Sequence, residues 1–224
     1  MKFKKYTIPY IIYLLIFIII PLILVIYYGF TTGDSQNLST FEFSLENFKR
    51  FFHPIYIKVL IRSINLALIS TIVCLFLGYP IAYIISKEKL RVRNNLILMF
   101  VIPMWMNFLL RTYAWLTLLG KNGIINIIIT KLGFQPLDLL YNDKAVLLGM
   151  VYNFLPFMVL PIFSVLTKID NKLIEAAEDL GANRFNTFIK VIFPLSLPGV
   201  ITGISMVFIP AVSTFVISSL LGGN

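Results

Sequence analysis

Five apolar runs dominate this chain and leave few ways for it to fold. They cover residues 8–30, 63–86, 94–119, 145–167 and 191–221, and four of the five contain no charged residue. The exception is the third, which holds Arg111. A membrane-crossing helix needs about 20 apolar residues, whereas a barrel strand needs about ten with alternating polarity. In hydrocarbon every backbone polar group must be satisfied internally, so runs of this length are read as helices. Only 13% of the residues are charged, against about 25% in a soluble domain. The expectation is an all-α integral membrane protein, a polytopic helical bundle.

The bases mark its orientation. Lys2, Lys4 and Lys5 precede the first run. Lys87, Lys89, Arg91 and Arg93 lie between the second and third, and Lys168, Lys172, Arg184 and Lys190 lie between the fourth and fifth. The alternate connections hold Asp34, Glu42, Glu46, Asp138 and Asp143 with a sparser set of bases. By the positive-inside rule the N-terminus and the connection 168–194 are cytoplasmic. This placement accounts for the net charge of +9 without nucleic acid as a partner. The first run is too long for a signal-peptide core of about 7–15 residues, and no small-residue cleavage site follows it. It is read as a retained anchor, forming with its outer connection a segment 1–57 ahead of a transmembrane domain 58–224.

The outer connections hold local signals. Residues 40–48 begin with strand-like alternation; Ser44 can then cap a short helix over 45–52, ended by Pro54. Residues 124–132 look like a short amphipathic helix between Gly123 and Gly133. The single cysteine, Cys74, lies within a run and the single histidine, His53, lies in a loop, so no metal site or disulfide framework is expected.

Two runs carry polar residues at depth. Asn107 and Arg111 are four apart and would share a helix face. Either the membrane helix ends near Arg111, with Tyr113 and Trp115 in an interfacial belt, or this face lines a polar pathway. The fourth run carries Tyr152 and Asn153 with Pro156 and Pro161, consistent with a bent, pathway-lining helix or with packing alone. Trp105, Asn107, Arg111, Tyr152 and Asn153 are the candidate pathway residues.

All ten acidic residues fall outside the runs. Ion-coupled carriers place acids or histidines inside the membrane, and an ion pore wants charged rings or a carbonyl filter. Neither pattern is present. No Gly-x4-Gly-Lys-Ser/Thr sequence occurs, so the chain is not expected to bind ATP by a P-loop or to act as an enzyme, and no cofactor is implied. Energy for uphill transport would have to arrive from another polypeptide at a cytoplasmic surface.

The connection 168–194 is the one large enough to serve. Asp170 can cap a helix from Asn171, and Gly181 can end it in the left-handed conformation. Leu173, Ala176, Ala177 and Leu180 would form an apolar stripe beside an acidic edge of Glu175 and Asp179. A second segment, 183–192, would put Phe185, Phe188, Ile189 and Ile192 on one face, with Pro194 opening the last run. Two short helices with a glycine elbow make a knob suited to a groove; an ordinary amphipathic loop would read the same way.

The pattern Glu175-Ala176-Ala177-x3-Gly181-x9-Val191-x-Phe193-Pro194 resembles the EAA motif of bacterial ABC importer permeases of type I, with Val191 and Phe193 where that family has isoleucine and leucine. Residues 65–80, Ile102-Pro103-x-Trp105-x-Asn107 and Leu155-Pro156-Phe157-Met158 further resemble its spermidine/putrescine branch. The resemblance implies a type-I permease fold in a bacterial cytoplasmic membrane. It also implies an ATP-binding cassette dimer docked on Glu175, Ala176, Ala177, Gly181 and Pro194, a second permease, and an extracytoplasmic substrate-binding protein. Membrane lipid is the remaining partner. Another solute, such as an amino acid or a metal complex, and a non-transporting scaffold stay open as alternatives. These permeases typically have six spans, so the resemblance implies a further span after the five runs, either cut off from this sequence or a departure from the family.

Overall fold

The computed structural model describes residues 4–32 and 42–222. Lys2, Asp34 and the start of the alternating stretch at Thr40 and Phe41 lie outside them, as do residues 223–224. The chain divides into two compact units, Met1–Ile61 and Arg62–Asn224.

In the first unit, α1 (Lys4–Leu14), a π-helical turn (Leu15–Ile19) and α2 (Ile20–Gly29) form one apolar rod. Its 23 residues from Thr7 to Gly29 extend about 35 Å, enough to cross a bilayer core. Beyond it, β1 (Thr31–Thr32) pairs antiparallel with β2 (Glu42–Phe43), Thr31 opposite Phe43. The expected short helix is α3 (Glu46–Phe51), and the Ser44 hydroxyl accepts from the Glu46 amide at 3.1 Å. Pro54 does not simply end it: Pro54 opens the next helix, α4 (Pro54–Lys87). A proline fits a first helical turn because its missing amide has no intrahelical partner there. The second predicted run therefore starts nine residues early.

In the second unit α4 is followed by α5 (Leu90–Met104), α6 (Phe108–Leu119), α7 (Ile124–Lys131) and α8 (Asp143–Leu166). After these come α9 (Asn171–Asp179), α10 (Arg184–Thr187), α11 (Phe193–Ser213) and α12 (Phe215–Leu221). Two more of the five expected spans need correction. The third is not a straight helix over 94–119: α5 and the segment from Phe108 bend by 88°. Pro103 weakens the end of α5, and Asn107 turns extended (ψ 130°), its side chain accepting the Leu109 amide at 2.8 Å. Asn107 is a helix cap. The fifth does not run 191–221. One continuous helix covers Arg184–Ser213 and stops at Thr214, where ψ is 95°. Pro210 removes an amide in the last turns, and the Ser213 hydroxyl donates back to the Ile209 and Pro210 carbonyls. The short helix α12 then returns, and the Leu221 carbonyl accepts the Tyr141 amide at 2.8 Å. Among the described residues, four helices are long and apolar enough to cross a membrane, or five if the bent pair counts as one span.

The core of this unit lies around α8. Met158 is fully buried between two glycines: a Cβ at Gly78 of α4 would sit 2.9 Å from its Cγ, and one at Gly203 of α11 2.8 Å from its Sδ. Gly199, one turn before Gly203, lies against the Pro161 carbonyl and the Ile162 backbone. This small-x3-small spacing lets α8 and α11 approach backbone to backbone, the usual solution where lipid gives no hydrophobic drive. Arg62 donates to Asp143 at 2.6 Å, tying α4 to the start of α8.

A buried hydrogen bond links α4 to α11. The Ser196 hydroxyl donates to the Phe193 carbonyl (2.8 Å), so in the 2.9 Å contact with Tyr79 it accepts and the phenol donates. Tyr79→Phe leaves Ser196 satisfied and should cost about 1 kcal/mol, whereas Ser196→Ala strands the buried phenol and should cost about 1–3 kcal/mol. Thermal melts of the two purified variants check that order; a larger loss from Tyr79→Phe would contradict it.

Candidate functional site

The connection between α8 and α11 folds as its residues dictate. The Asp170 carboxylate accepts the Lys172 amide at 3.0 Å and so starts α9. At the other end Gly181 takes φ +85°, with the Gly181 amide donating to the Glu178 carbonyl and the Ala182 amide to the Ala177 carbonyl. That is the paired closure of a Schellman cap. Asn183 caps the next turn, its side chain accepting the Asn186 amide at 2.8 Å.

Here the second short helix of the sequence reading is corrected. Residues 184–187 pass through a π-helical turn, Phe188–Ile192, straight into α11. The Phe193 amide reaches back five residues to the Phe188 carbonyl. Pro194 is the physical reason: inside a helix it clashes with the carbonyl four residues before, and the wider π turn absorbs the misfit. Leu15–Ile19 is followed by Pro21 in the same register.

Both proposed stripes split. On α9, Ile174 and Ala177 turn toward the core, while Leu173, Ala176 and Leu180 face outward. Leu180 is 89% exposed. On the following turns Thr187 and Ile192 are buried, and the Phe188 ring packs against Tyr79, Tyr83 and Phe193. Phe185, 69% exposed, and Ile189 remain outside. Helical periodicity alone could not separate these, because both faces of the loop are apolar and the core claims one of them. The outcome is an outward surface of Leu173, Ala176, Leu180 and Phe185 beside Glu175 and Asp179, on a rigidly capped elbow.

The candidate pathway residues do not form one cluster. Trp105 lies exposed at the break after α5, and Asn107 is the cap of α6. Tyr152 meets Trp115 edge-on, ring centres 5.4 Å apart. Arg111 is 8% exposed and Asn153 1%. The Asn153 amide nitrogen donates to the Gly149 carbonyl at 2.8 Å. The Arg111 Nε and the Asn153 Oδ1 are the two buried side-chain atoms without a hydrogen-bond partner among the described residues, where burial without a partner is costly. Sequence reasoning missed the Tyr79–Ser196 link and the Gly199/Gly203 seam; the Gly-x3-Gly spacing was the available signal for the second. Among the described residues no group of three or more His, Cys, Asp or Glu converges as a metal site would require.

Residues 56–224 match the family described as binding-protein-dependent transport system inner membrane component. The chain is 41% identical over 225 residues to the spermidine/putrescine transport system permease protein PotB of Haemophilus influenzae, covering 99% of this chain and 79% of that one. It is 39% identical over 213 residues to PotB of Escherichia coli, covering 94% and 78%. A bacterial ABC transporter involved in the import of the acidic polysaccharide alginate superposes with a TM-score of 0.72 at 16% identity, over 99% of this chain and 73% of its own. That likeness shows the fold. With its bundle of apolar helices, its capped loop elbow and a match over three quarters of its length, this chain belongs to the binding-protein-dependent transport family of inner-membrane components and has the type-I ABC importer permease fold.

Proposed function

We propose that this chain is a permease subunit of an ATP-driven polyamine importer, driven through its loop 168–194 by a separate ATP-binding cassette dimer. The observation that carries the solute is the 41% identity over almost the whole chain to a spermidine/putrescine permease. Glu175, Ala176, Ala177 and Gly181 build the docking elbow, and Pro194 sets the π turn that joins it to the span. Because Arg184–Ser213 is one helix, about 45 Å long, displacement of the elbow moves the span and its seam with α8.

In this reading the bases place the loop and the N-terminus in the cytoplasm. A second permease completes the pathway, and an outer binding protein delivers the solute. No carboxylate lies within the apolar runs, so the binding protein performs the tight selection of polycations. The contact of Trp115 with Tyr152 offers aromatic faces of the kind that attract cations, and the unpaired Asn153 Oδ1 offers an acceptor. Trp105, Asn107 and Arg111 belong to the same proposed route at the bend.

Uptake of labelled spermidine by cells with and without this gene tests the assignment. Loss of most energised uptake in the deletion is the expected result. Unchanged spermidine and putrescine uptake would sink the polyamine reading and favour another solute.

A further inference from the structure

Two bases converge on a cavity that the transport reading does not use. About 110 Å³ in volume, it lies where the end of α4, the start of α5 and the base of α9 meet, lined by Tyr83, Ser86, Lys87, Arg93, Thr167 and Asn171. No acidic residue lines it. Arg93 is half-buried, and among the described residues neither Arg93 nor Lys87 pairs with a carboxylate. The Lys87 ammonium sits 5.8 Å from the centre of the Tyr83 ring. A neighbouring cavity of about 240 Å³ shares Tyr83 and Lys87 but holds Glu178 with Arg184, so its charge is nearer balance. The smaller cavity holds two cations and no acidic residue in a space with room for more than one water, since each needs about 10–15 Å³.

A planar guanidinium fork beside an ammonium matches a tetrahedral phosphate, while the Ser86 and Thr167 hydroxyls donate to carbonyls of their own helices. One turn back along α4 runs an apolar groove of about 300 Å³, lined by Leu75, Phe76, Tyr79, Pro80, Phe188 and Phe193. The two are neighbours: the Phe188 ring of the groove packs 5.4 Å from Tyr83 of the cavity and 5.8 Å from Tyr79. A phosphate-sized basic cavity next to an acyl-shaped groove has the layout of a phospholipid. We propose that the cavity binds the phosphate of an anionic phospholipid whose acyl chain lies in the groove, seating the lipid against the base of the coupling elbow. The inference rests on the proposed orientation only for the leaflet, which is the cytoplasmic one.

The bland alternative is diffuse attraction of the whole basic segment to anionic lipid. Lys89 and Arg91 are exposed on the same segment and do not line the cavity, which makes them the control. Binding of fluorescent phosphatidylglycerol to the full-length purified chain in neutral detergent is compared with that of phosphatidylcholine. The wild type should prefer phosphatidylglycerol. Lys87→Gln with Arg93→Gln should weaken that binding about 30-fold, Lys87→Arg with Arg93→Lys should restore most of it, and Lys89→Gln with Arg91→Gln should stay within about fivefold of wild type. Equal losses in the two glutamine pairs would overturn the site in favour of diffuse attraction. Equal binding of both lipids, with inorganic phosphate taken up instead, would overturn the lipid as its source. The assay uses neither solute nor ATPase, so its failure leaves the transport reading standing, and the uptake experiment leaves the lipid site standing.

Discussion

Leu180→Glu is expected to abolish transport while leaving the permease folded. Leu180 is 89% exposed at the C-terminal end of α9, where only water or a partner touches it. Its replacement removes no core contact, so stability should change by no more than about 0.5 kcal/mol. At the proposed docking interface the same change buries an unpaired carboxylate in an apolar contact. Loss of one such anchor costs about 2 kcal/mol or more, which is about 30-fold in association. Co-purification of the ATPase subunits and binding-protein-stimulated ATP hydrolysis in liposomes read the effect, and a thermal melt reads the fold. Gly181 supplies the companion test. Its φ of +85° tolerates asparagine better than valine, and nothing lies within 4 Å of a Cβ there. Gly181→Asn should therefore keep coupling and Gly181→Val should impair it by reshaping the elbow. Wild-type transport in both Leu180→Glu and Gly181→Val would remove the loop from the coupling role.

Gly199→Val should fail at the earlier step of folding. Even a single Cβ at Gly199 would come within 2.9 Å of the Pro161 carbonyl and 3.1 Å of the Ile162 Cα. These are backbone atoms of a buried helix and cannot swing aside, so α8 and α11 must separate. Overpacking of this kind costs about 1–3 kcal/mol and sometimes more, and two further methyl carbons at a helix seam put valine at the upper end. Gly203→Ala faces the same helix, but its nearest neighbour is the flexible Met158 sulfur at 2.8 Å, so it should be milder. Size-exclusion profiles and melting of detergent-solubilised protein check the order Gly199→Val, Gly203→Ala, wild type. A Gly199→Val protein that melts like wild type would mean the α8–α11 seam is looser than the glycine contacts require.

The sequence carried the class of the molecule and most of its local punctuation. Apolar length required membrane helices, because a bilayer offers the backbone no other partner. Asp170 and Gly181 acted where they stand, since caps and left-handed turns depend on the residue and its immediate neighbours. The motif around Glu175 likewise pointed to a family that whole-chain similarity then supported. Residue chemistry at that range is strong enough to be read without a fold.

Tertiary structure decided what sequence patterns leave degenerate. Apolar composition cannot tell a straight span from a broken one, so the 88° bend after Met104 and the stop at Thr214 emerged only with the backbone, set by Pro103, Asn107 and Pro210 against the helices around them. Nor can periodicity say which of two apolar faces the core will take. Ala177 and Phe188 went inward, Leu180 and Phe185 stayed out, because Tyr79 and Tyr83 of α4, a hundred residues away in the chain, were there to meet Phe188. The elbow was written in its own residues; the face it presents was chosen by packing.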